Sequence, residues 1–386
     1  MPVNIVPNYH IDKDIINKKK IIKILKKEKT PLYIYDKNIL KKYLNIMKTI
    51  KAKIFYSIKA NPNNDIIKFF NKENGYFEAV SIGELKKVLK YSKNLSKTIF
   101  VGPAKKDFEI EFAIKNNIRM IIVESKNELK KIKDISKKLN KKVNILIRVN
   151  PNFNSGGIIN MSGITQFGLS KDEVIKIVSQ KYENITIKGL HFYLGTNILD
   201  NQNIIKNIEL ILKISNEIKF YHNFKIIDIG LGLGIAYYKD DKDLKINSLI
   251  KEINKKFKNS EFEFIVEIGR FLVAKSGIFI AKVIDIKTNF AKKFVLLDGG
   301  TNFFGLNSKF GGFRISPIKV LNNTNQKEVV TIVGNLCTSS DILANNISIN
   351  KLQIGDYIVF YQAGAYCFSA SAINFLSHNL PKEILV

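Results

Sequence analysis

From Pro31 onward the chain alternates short apolar runs with longer segments whose apolar residues recur every three or four positions. Apolar runs bounded by turn residues read as buried strands, and the three-to-four spacing reads as helices with one apolar face. This pattern predicts strands at 32–35, 54–58, 77–80, 99–101, 120–123, 143–149, 187–192, 226–229 and 264–267. Helices are predicted at 39–50, from Ile66, and at 84–90, 108–115 and 127–139. Strands alternating with helices imply a parallel sheet with right-handed crossovers. About eight such units over roughly 240 residues predict an α/β fold built on a closed (β/α)8 barrel, TIM-like in form. After about Lys275 the texture changes. Segments 278–288, 294–298, 329–333 and 353–361 read as strands without intervening helices, which predicts a second, β-rich sandwich or barrel domain. The expected division is a barrel over 31–275, with 1–30 and 276–386 forming the β-rich domain.

Composition narrows the class without naming it. The 386 residues are 45% hydrophobic, ordinary for a globular core. No apolar stretch is long enough to span a bilayer, and residues 1–20 lack the apolar core of a secretory signal, so a cytoplasmic protein with no membrane partner is expected. The two cysteines, Cys337 and Cys367, form no CxxC or Cys/His cluster, so neither a disulfide framework nor a metal site is expected. A net charge of +28 invites a nucleic-acid reading. Against it, the lysines are spread among Ile and Asn along the whole chain. Arginine, the residue suited to bidentate phosphate contacts, occurs only at 119, 148, 270 and 314. The charge is read as a solvated lysine coat, able at most to steer an acidic partner.

In a barrel of this kind catalytic groups sit at the C-terminal ends of strands. Lys59 ends the run Phe55-Tyr56-Ser57-Ile58-Lys59-Ala60-Asn61, and Arg148 ends another strand. His191 follows Gly189-Leu190, with Gly195-Thr196 just after it. Gly230-Leu231-Gly232-Leu233-Gly234 follows Asp228, and Glu267-Ile268-Gly269-Arg270 ends the last strand. A glycine run after a strand exposes backbone N–H groups to a phosphate, although this one lacks the dinucleotide-binding spacing. In a barrel, however, the loops after strands seven and eight are the usual phosphate site, and Arg270 adds a cation there. Taken singly, His191 reads as a satisfied core histidine and Glu267 as a cap or ion-pair residue. Their joint placement points to pyridoxal phosphate. That cofactor needs a lysine, a partner for the pyridine nitrogen, packing on the ring face and a phosphate cup.

On these motifs the chain resembles, over nearly its whole length, the pyridoxal-phosphate-dependent decarboxylases of the alanine-racemase-like fold, the group of diaminopimelate and ornithine decarboxylases. Tyr56-Ser57-Ile58-Lys59-Ala60-Asn61 matches the family's lysine motif, and Gly189-Leu190-His191 with Gly195-Thr196 its histidine element. The glycine loop matches with Leu231 for a glycine, and Glu267-Ile268-Gly269-Arg270 matches with Ile268 for a proline. Gly334-Asn335-Leu336-Cys337 and Gly364-Ala365-Tyr366 match the two motifs of the β domain. The resemblance implies that Lys59 attaches the cofactor, His191 stacks on its ring and Glu267 pairs with the pyridine nitrogen. Gly232, Gly269, Arg270, Thr196 and Tyr366 would hold the phosphate. Glu78 stands near the cofactor where the family often has Asp, and Arg148 would support the site near His191. Cys337 would reach into a partner's site across a homodimer interface, near the carbon that is reprotonated.

The distal end departs from the family pattern. Diaminopimelate decarboxylases carry an arginine after Asp-x-Gly-x-Asn and a Glu directly after the cysteine, whereas here Leu306 or a neighbour and Thr338 stand there. The Asp with which ornithine-type enzymes bind a distal amine is missing too. A buried distal charge left without its partner costs several kcal/mol, roughly 3–5. Together with Asp341 and Phe310-Gly311-Gly312, this resembles decarboxylases of secondary-metabolite and exopolysaccharide clusters, some acting on an aminoacyl group tethered to a carrier protein. The expected activity is therefore α-decarboxylation of a non-standard or carrier-bound amino acid, with meso-diaminopimelate as the alternative. An amino-acid racemase on the same fold is disfavoured by Glu267 at the pyridine nitrogen. A non-catalytic paralogue is disfavoured by the presence of both Lys59 and Cys337.

Overall fold

The computed structural model describes residues 10–153, 155–157, 159–306 and 315–386. Its contacts divide the chain into two compact units. One comprises Leu44–Ile235 and Leu244–Gly269; the other comprises the residues up to Tyr43, Ala236–Asp243 and Arg270–Val386.

The strands, in chain order, begin with β1 (Leu32–Tyr35), β2 (Lys53–Ser57), β3 (Tyr76–Ala79), β4 (Thr98–Phe100) and β5 (Met120–Val123). They continue with β6 (Val143–Arg148), β7 (Ile185–Tyr193), β8 (Ile226–Gly230) and β9 (Glu263–Ile268). Strands β2 to β9 pair in parallel and close on themselves, β9 returning to β2 with Glu267 opposite Phe55. Inside the barrel Phe55, Ile99, Met120, Ile122, Leu146 and Ile265 pack into one apolar cluster. Each such buried side chain contributes about 1.5–3 kcal/mol, so the interior is a packed core with polar chemistry left to the strand ends. Ser81 and Ser125 cap helices that start promptly after β3 and β5, each accepting a backbone N–H from the third residue onward. Ser170 caps the helix that follows the long connection after β6 in the same way. The short βα connections hold their strand ends in place.

The barrel begins at Lys53 and not at Pro31. Strand β1 pairs with the β-rich unit instead, antiparallel to Gly277–Ile280 and parallel to Lys382–Leu385. All four of its residues are buried, and a continuously apolar run suits either a barrel strand or a covered sheet strand. The pattern fixes the strand and leaves its neighbour open.

The β-rich unit adds β10 (Gly277–Asn289), β11 (Lys292–Leu297), β12 (Ile318–Val320), β13 (Lys327–Val333), β14 (Ile342–Asn350), β15 (Tyr357–Tyr361) and β16 (Lys382–Leu385). They form an eight-stranded sheet with β1, ordered β12-β15-β10-β11-β13-β14, with β1 joined to β10 and β16. Strand β14 was not predicted from its sequence, Ile-Leu-Ala-Asn-Asn-Ile-Ser-Ile-Asn, because Asn reads as a turn former. Here Asn345 is buried and accepts a hydrogen bond from Thr331 (3.2 Å), which satisfies it within the sheet. Among the described residues no helix is long and apolar enough to cross a membrane.

Candidate active site

Strand β2 ends at Ser57 and a single 3-10 turn, Ile58–Ala60, follows. The Tyr56 hydroxyl donates to the Asn61 carbonyl (2.8 Å) and its ring stacks on Phe70, so the turn is pinned at both ends. Lys59 therefore leaves the strand end with its side chain 32% exposed, and its Nζ donates to Glu78 Oε1 at 2.6 Å. Glu78 comes from β3, in register with Ser57, and is fully buried. Burial pushes its carboxyl above the ordinary range, and the Lys59 ammonium opposes that shift. The same ammonium lies 5.4 Å from the centre of the Tyr193 ring.

The ends of β7, β8 and β9 stack their side chains in two levels. At the upper level Tyr193, Gly230 and Glu267 lie side by side. At the lower level Arg148, His191 and Asp228 do. Glycine at 230 is obligatory for the upper level, since a Cβ there would sit 1.9 Å from Tyr193 Cδ2. Glu267 is buried and neither carboxylate oxygen receives a hydrogen bond. Burial pushes its carboxyl up to about 7, with Lys59 the largest opposing charge. His191 is fully buried, and burial, then Arg148, push it down to about 3, so its imidazole is neutral. Its Nε2 is 3.3 Å from Glu267 Oε1 but not aligned for a hydrogen bond. Asp228 is fully buried and lacks donors, and burial holds its carboxyl well above the usual range. Arg148 Nη1 donates to both oxygens of buried Glu124 at 3.0 Å, and its guanidinium lies 4.3 Å from the Phe167 ring centre. Ligand atoms of His191, Asp228 and Glu267 lie within 4.8 Å of one another, a spacing a small cation could bridge. Their near-complete burial suits the edge of an organic group better than a hydrated ion.

Around this core the backbone opens. Gly232 has φ +63°, and a Cβ on it would lie 2.3 Å from the Gly195 carbonyl. Its loop is laced to the next stretch by Ile198 N–H to Gly232 O (2.9 Å), leaving Gly232 and Thr196 half-buried. Gly269 is also closely packed, since a Cβ would meet Ala60 at 2.8 Å and Ser57 at 3.1 Å.

In the β-rich unit, Arg270 Nη1 donates to the Tyr237 hydroxyl (3.1 Å) and its guanidinium lies 4.6 Å from the Tyr366 ring centre. Cys337 is exposed. Thr338 is half-buried, its hydroxyl 2.9 Å from that of Ser340. Asp341 accepts from Leu336 N–H, Thr301 N–H and the Thr301 hydroxyl, tying the cysteine loop to the 298–302 turn. Leu306 is half-buried, its carbonyl 3.5 Å from the Tyr238 hydroxyl. Phe310-Gly311-Gly312 lies outside the described residues.

The barrel thus brings Lys59, Glu78, His191, Glu267 and Arg148 together, and adds Tyr193, Asp228 and Glu124, to which sequence reasoning gave no role. The signal for Tyr193 was the period of two along a strand, which puts residues 191 and 193 on one face. A half-exposed lysine amine, a buried carboxylate with no donor and a positive-φ glycine loop fit pyridoxal phosphate. They define a cofactor-binding barrel of the pyridoxal-phosphate type. A family model described as pyridoxal-dependent decarboxylase, pyridoxal binding domain, matches residues 36–274, and the chain belongs to that family. It is a pyridoxal-phosphate-dependent amino-acid decarboxylase. Diaminopimelate decarboxylase of Campylobacter jejuni is 33% identical over 94% of this chain and 92% of its own length. L-glutamyl-[BtrI acyl-carrier protein] decarboxylase of Niallia circulans is 30% identical, covering 96% and 92%. The crystal structure of Helicobacter pylori diaminopimelate decarboxylase complexed with L-lysine superposes with a TM-score of 0.86 at 29% identity, covering 95% of this chain and 94% of that one.

Proposed function

We propose that this decarboxylase acts on meso-diaminopimelate. The supporting observation is that most of its similar relatives carry the name diaminopimelate decarboxylase, with similarity running through both units. That weight moves the reading away from the carrier-bound substrate favoured by the sequence motifs alone. A second reading keeps one specific support. Thr338 stands where a Glu would meet a distal charge, and a relative named for a carrier-bound glutamyl substrate is 30% identical over 96% of the chain. On that reading the far end of the substrate is a neutral thioester or amide, and the lysine coat favours an acidic carrier.

Bound pyridoxal phosphate supplies an electron sink for the bond to the departing carboxylate. The chain's own residues do the rest. Lys59 would attach the cofactor, and its free amine is held by Glu78 at 2.6 Å. Glu267, whose carboxyl burial raises to about 7, would pair with the pyridine nitrogen and hold a proton there. Backbone N–H groups at Gly232 and Gly269, with the Thr196 hydroxyl, would hold the cofactor's phosphate. Within the β-rich unit, Arg270 and Tyr366 form a cation–aromatic pair of the kind suited to a phosphate. Arg148 and Glu124 brace the layer beneath. The exposed Cys337 thiol serves a partner's site in a homodimer, supplying a proton where the carboxylate has left.

Carbon dioxide release from meso-diaminopimelate and from a panel of carrier-loaded amino acids tests the substrate. Turnover of meso-diaminopimelate supports the first reading. Turnover of carrier-loaded substrates alone overturns it in favour of the second. Lys59→Ala should abolish the visible absorbance of bound cofactor, and a variant that keeps it would overturn the role of Lys59.

A further inference from the structure

We propose that the N-terminal mouth of the barrel, the end away from Lys59, binds a small organic molecule carrying two or more negative charges. A cavity of about 580 Å³ opens there among the first residues of β5 to β9. That volume falls in the range of small-molecule sites, about 300–1,000 Å³. Its floor is apolar: Met120 belongs to the cluster inside the barrel and Ile226 packs against it. Its walls are cationic. Arg119, Lys188 and Lys225 line it, and no ion pair among the described residues engages any of them. Glu263 is the one carboxylate among the described lining residues, and it is drawn to Lys53 at 3.5 Å.

Arg119 carries the inference. The chain has 62 lysines and arginines, and only residues 119, 148, 270 and 314 are arginine, so a guanidinium is the exception in it. Arg148 holds Glu124, and Arg270 donates to the Tyr237 hydroxyl. Arg119 has no such partner among the described residues. Its Nε is buried without a hydrogen bond, and its guanidinium lies 5.4 Å from the centre of the Tyr76 ring. A buried donor left unmet costs free energy that a bound anion would recover. Tyr76 packs against the barrel cluster, so the ring contact holds the guanidinium in place. A fixed planar fork of this kind matches two oxygens of a phosphoryl or carboxylate group. Lys188 and Lys225 stand side by side, the Lys225 N–H donating to the Lys188 carbonyl (3.2 Å), and both side chains are exposed. They can meet a second anionic group, while the apolar floor suits a carbon skeleton.

The N-terminal face of such a barrel ordinarily serves stability. A cation placed there for that purpose pairs with a carboxylate, as Lys53 does with Glu263. The site is also separate from the cofactor's. Glu263 in the lining and Glu267 at the far end lie on one strand, about 13 Å apart at the usual rise per residue. A ligand at this mouth does not compete with the substrate for space.

The test is calorimetric titration of the cofactor-loaded protein with fructose 1,6-bisphosphate and with citrate, at low salt so that screening is weak. At least one should bind at one site per chain with a dissociation constant below about 1 mM. Tighter binding of the first assigns a phosphorylated ligand and tighter binding of the second a polycarboxylate, and either supports the site. Arg119→Gln should weaken binding about tenfold and Arg119→Lys nearly as much, because lysine lacks the fork. Lys188→Gln and Lys225→Gln should each weaken it about threefold. Lys133→Gln removes an exposed lysine from the helix Lys126–Lys138, outside the lining, and should change affinity by less than about 1.5-fold. Melting temperatures establish that each variant is folded. Should Arg119→Gln fail to fold, the exposed Lys188 and Lys225 variants decide the matter. The proposal is overturned if neither anion saturates a single site, or if a folded Arg119→Gln binds normally. It is equally overturned if Lys133→Gln loses as much as the Lys188 and Lys225 variants, which would make the lysine coat the binder. Loss of the cofactor's visible band during the titration would place the anion in the phosphate cup and overturn it too.

Discussion

His191 and Glu267 lie 3.3 Å apart in the same closed interior, yet burial moves their proton affinities in opposite senses. The imidazole falls from 6.5 to about 3 and the carboxyl rises from 4.5 to about 7. At pH 5.5, chosen roughly midway between the two unfolded values, unfolding makes His191 take up a proton and Glu267 release one. Stability rises with pH wherever the unfolded chain binds more protons. His191 therefore adds stability as pH climbs from about 3 to 6.5, and Glu267 removes it from 4.5 to about 7. Where the windows overlap, between 4.5 and 6.5, the two slopes cancel. Removing one group exposes the other. One proton corresponds to about 1.4 kcal/mol per pH unit, so across the overlap each group carries about 3 kcal/mol. Wild-type unfolding free energy minus that of His191→Asn should rise by about 3 kcal/mol over this window and level off above it. The same difference for Glu267→Gln should fall by about 3 kcal/mol. Urea denaturation of cofactor-free protein at closely spaced pH values supplies the curves. Subtraction removes buried carboxyls that feel neither group, such as Glu84, in both differences, whereas Asp228, which feels Glu267, drops out only of the His191→Asn difference. A difference for either variant that stays flat with pH, within about 0.5 kcal/mol, refutes the assignment of a neutral imidazole beside a protonated carboxyl.

Three further outcomes follow from the geometry. Tyr237→Phe removes the hydroxyl that accepts from Arg270, and should raise the dissociation constant of pyridoxal phosphate roughly fivefold, the scale of one hydrogen bond, with little change in melting temperature. Gly232→Ala places a side chain at φ +63° and 2.3 Å from a carbonyl, so it should cost about 1–3 kcal/mol in unfolding free energy and weaken cofactor binding in the same titration. Arg148→Met leaves buried Glu124 without its cation and should destabilise by about 3–5 kcal/mol in urea, part of which Glu124→Gln in the same chain restores.

The barrel was readable because its strands are short apolar runs and its helices carry apolar residues every third or fourth position, and both patterns survive the lysine bias. What the pattern could not supply was partnership. Residues 32–35 look like any covered strand, and only pairing with Gly277–Ile280 and Lys382–Leu385 assigns them to the β-rich sheet. Strand Ile342–Asn350 was hidden because its asparagines are satisfied by tertiary contacts that no local rule anticipates.

The site was readable to the extent that its chemistry is written as motifs, and it blurred where register decides. Lys59 and Glu267 are unusual residues at strand ends, and their chemistry narrows their roles. A strand puts every second residue on the same face, so Tyr193 joins His191 on one face although only the histidine stands out as a motif. Tyr193 is in register with Gly230 and hence with Glu267, whereas His191 is in register with Asp228. Depth is set by pairing across three strands that lie far apart in sequence, so it becomes visible only once the barrel is closed. Thr338 follows an exposed cysteine in a loop held by Asp341, so a change at residue 338 alters side-chain charge without disturbing the anchor. Gly230, Gly232 and Gly269 allow no such freedom, because a Cβ at any of them would collide with its neighbours.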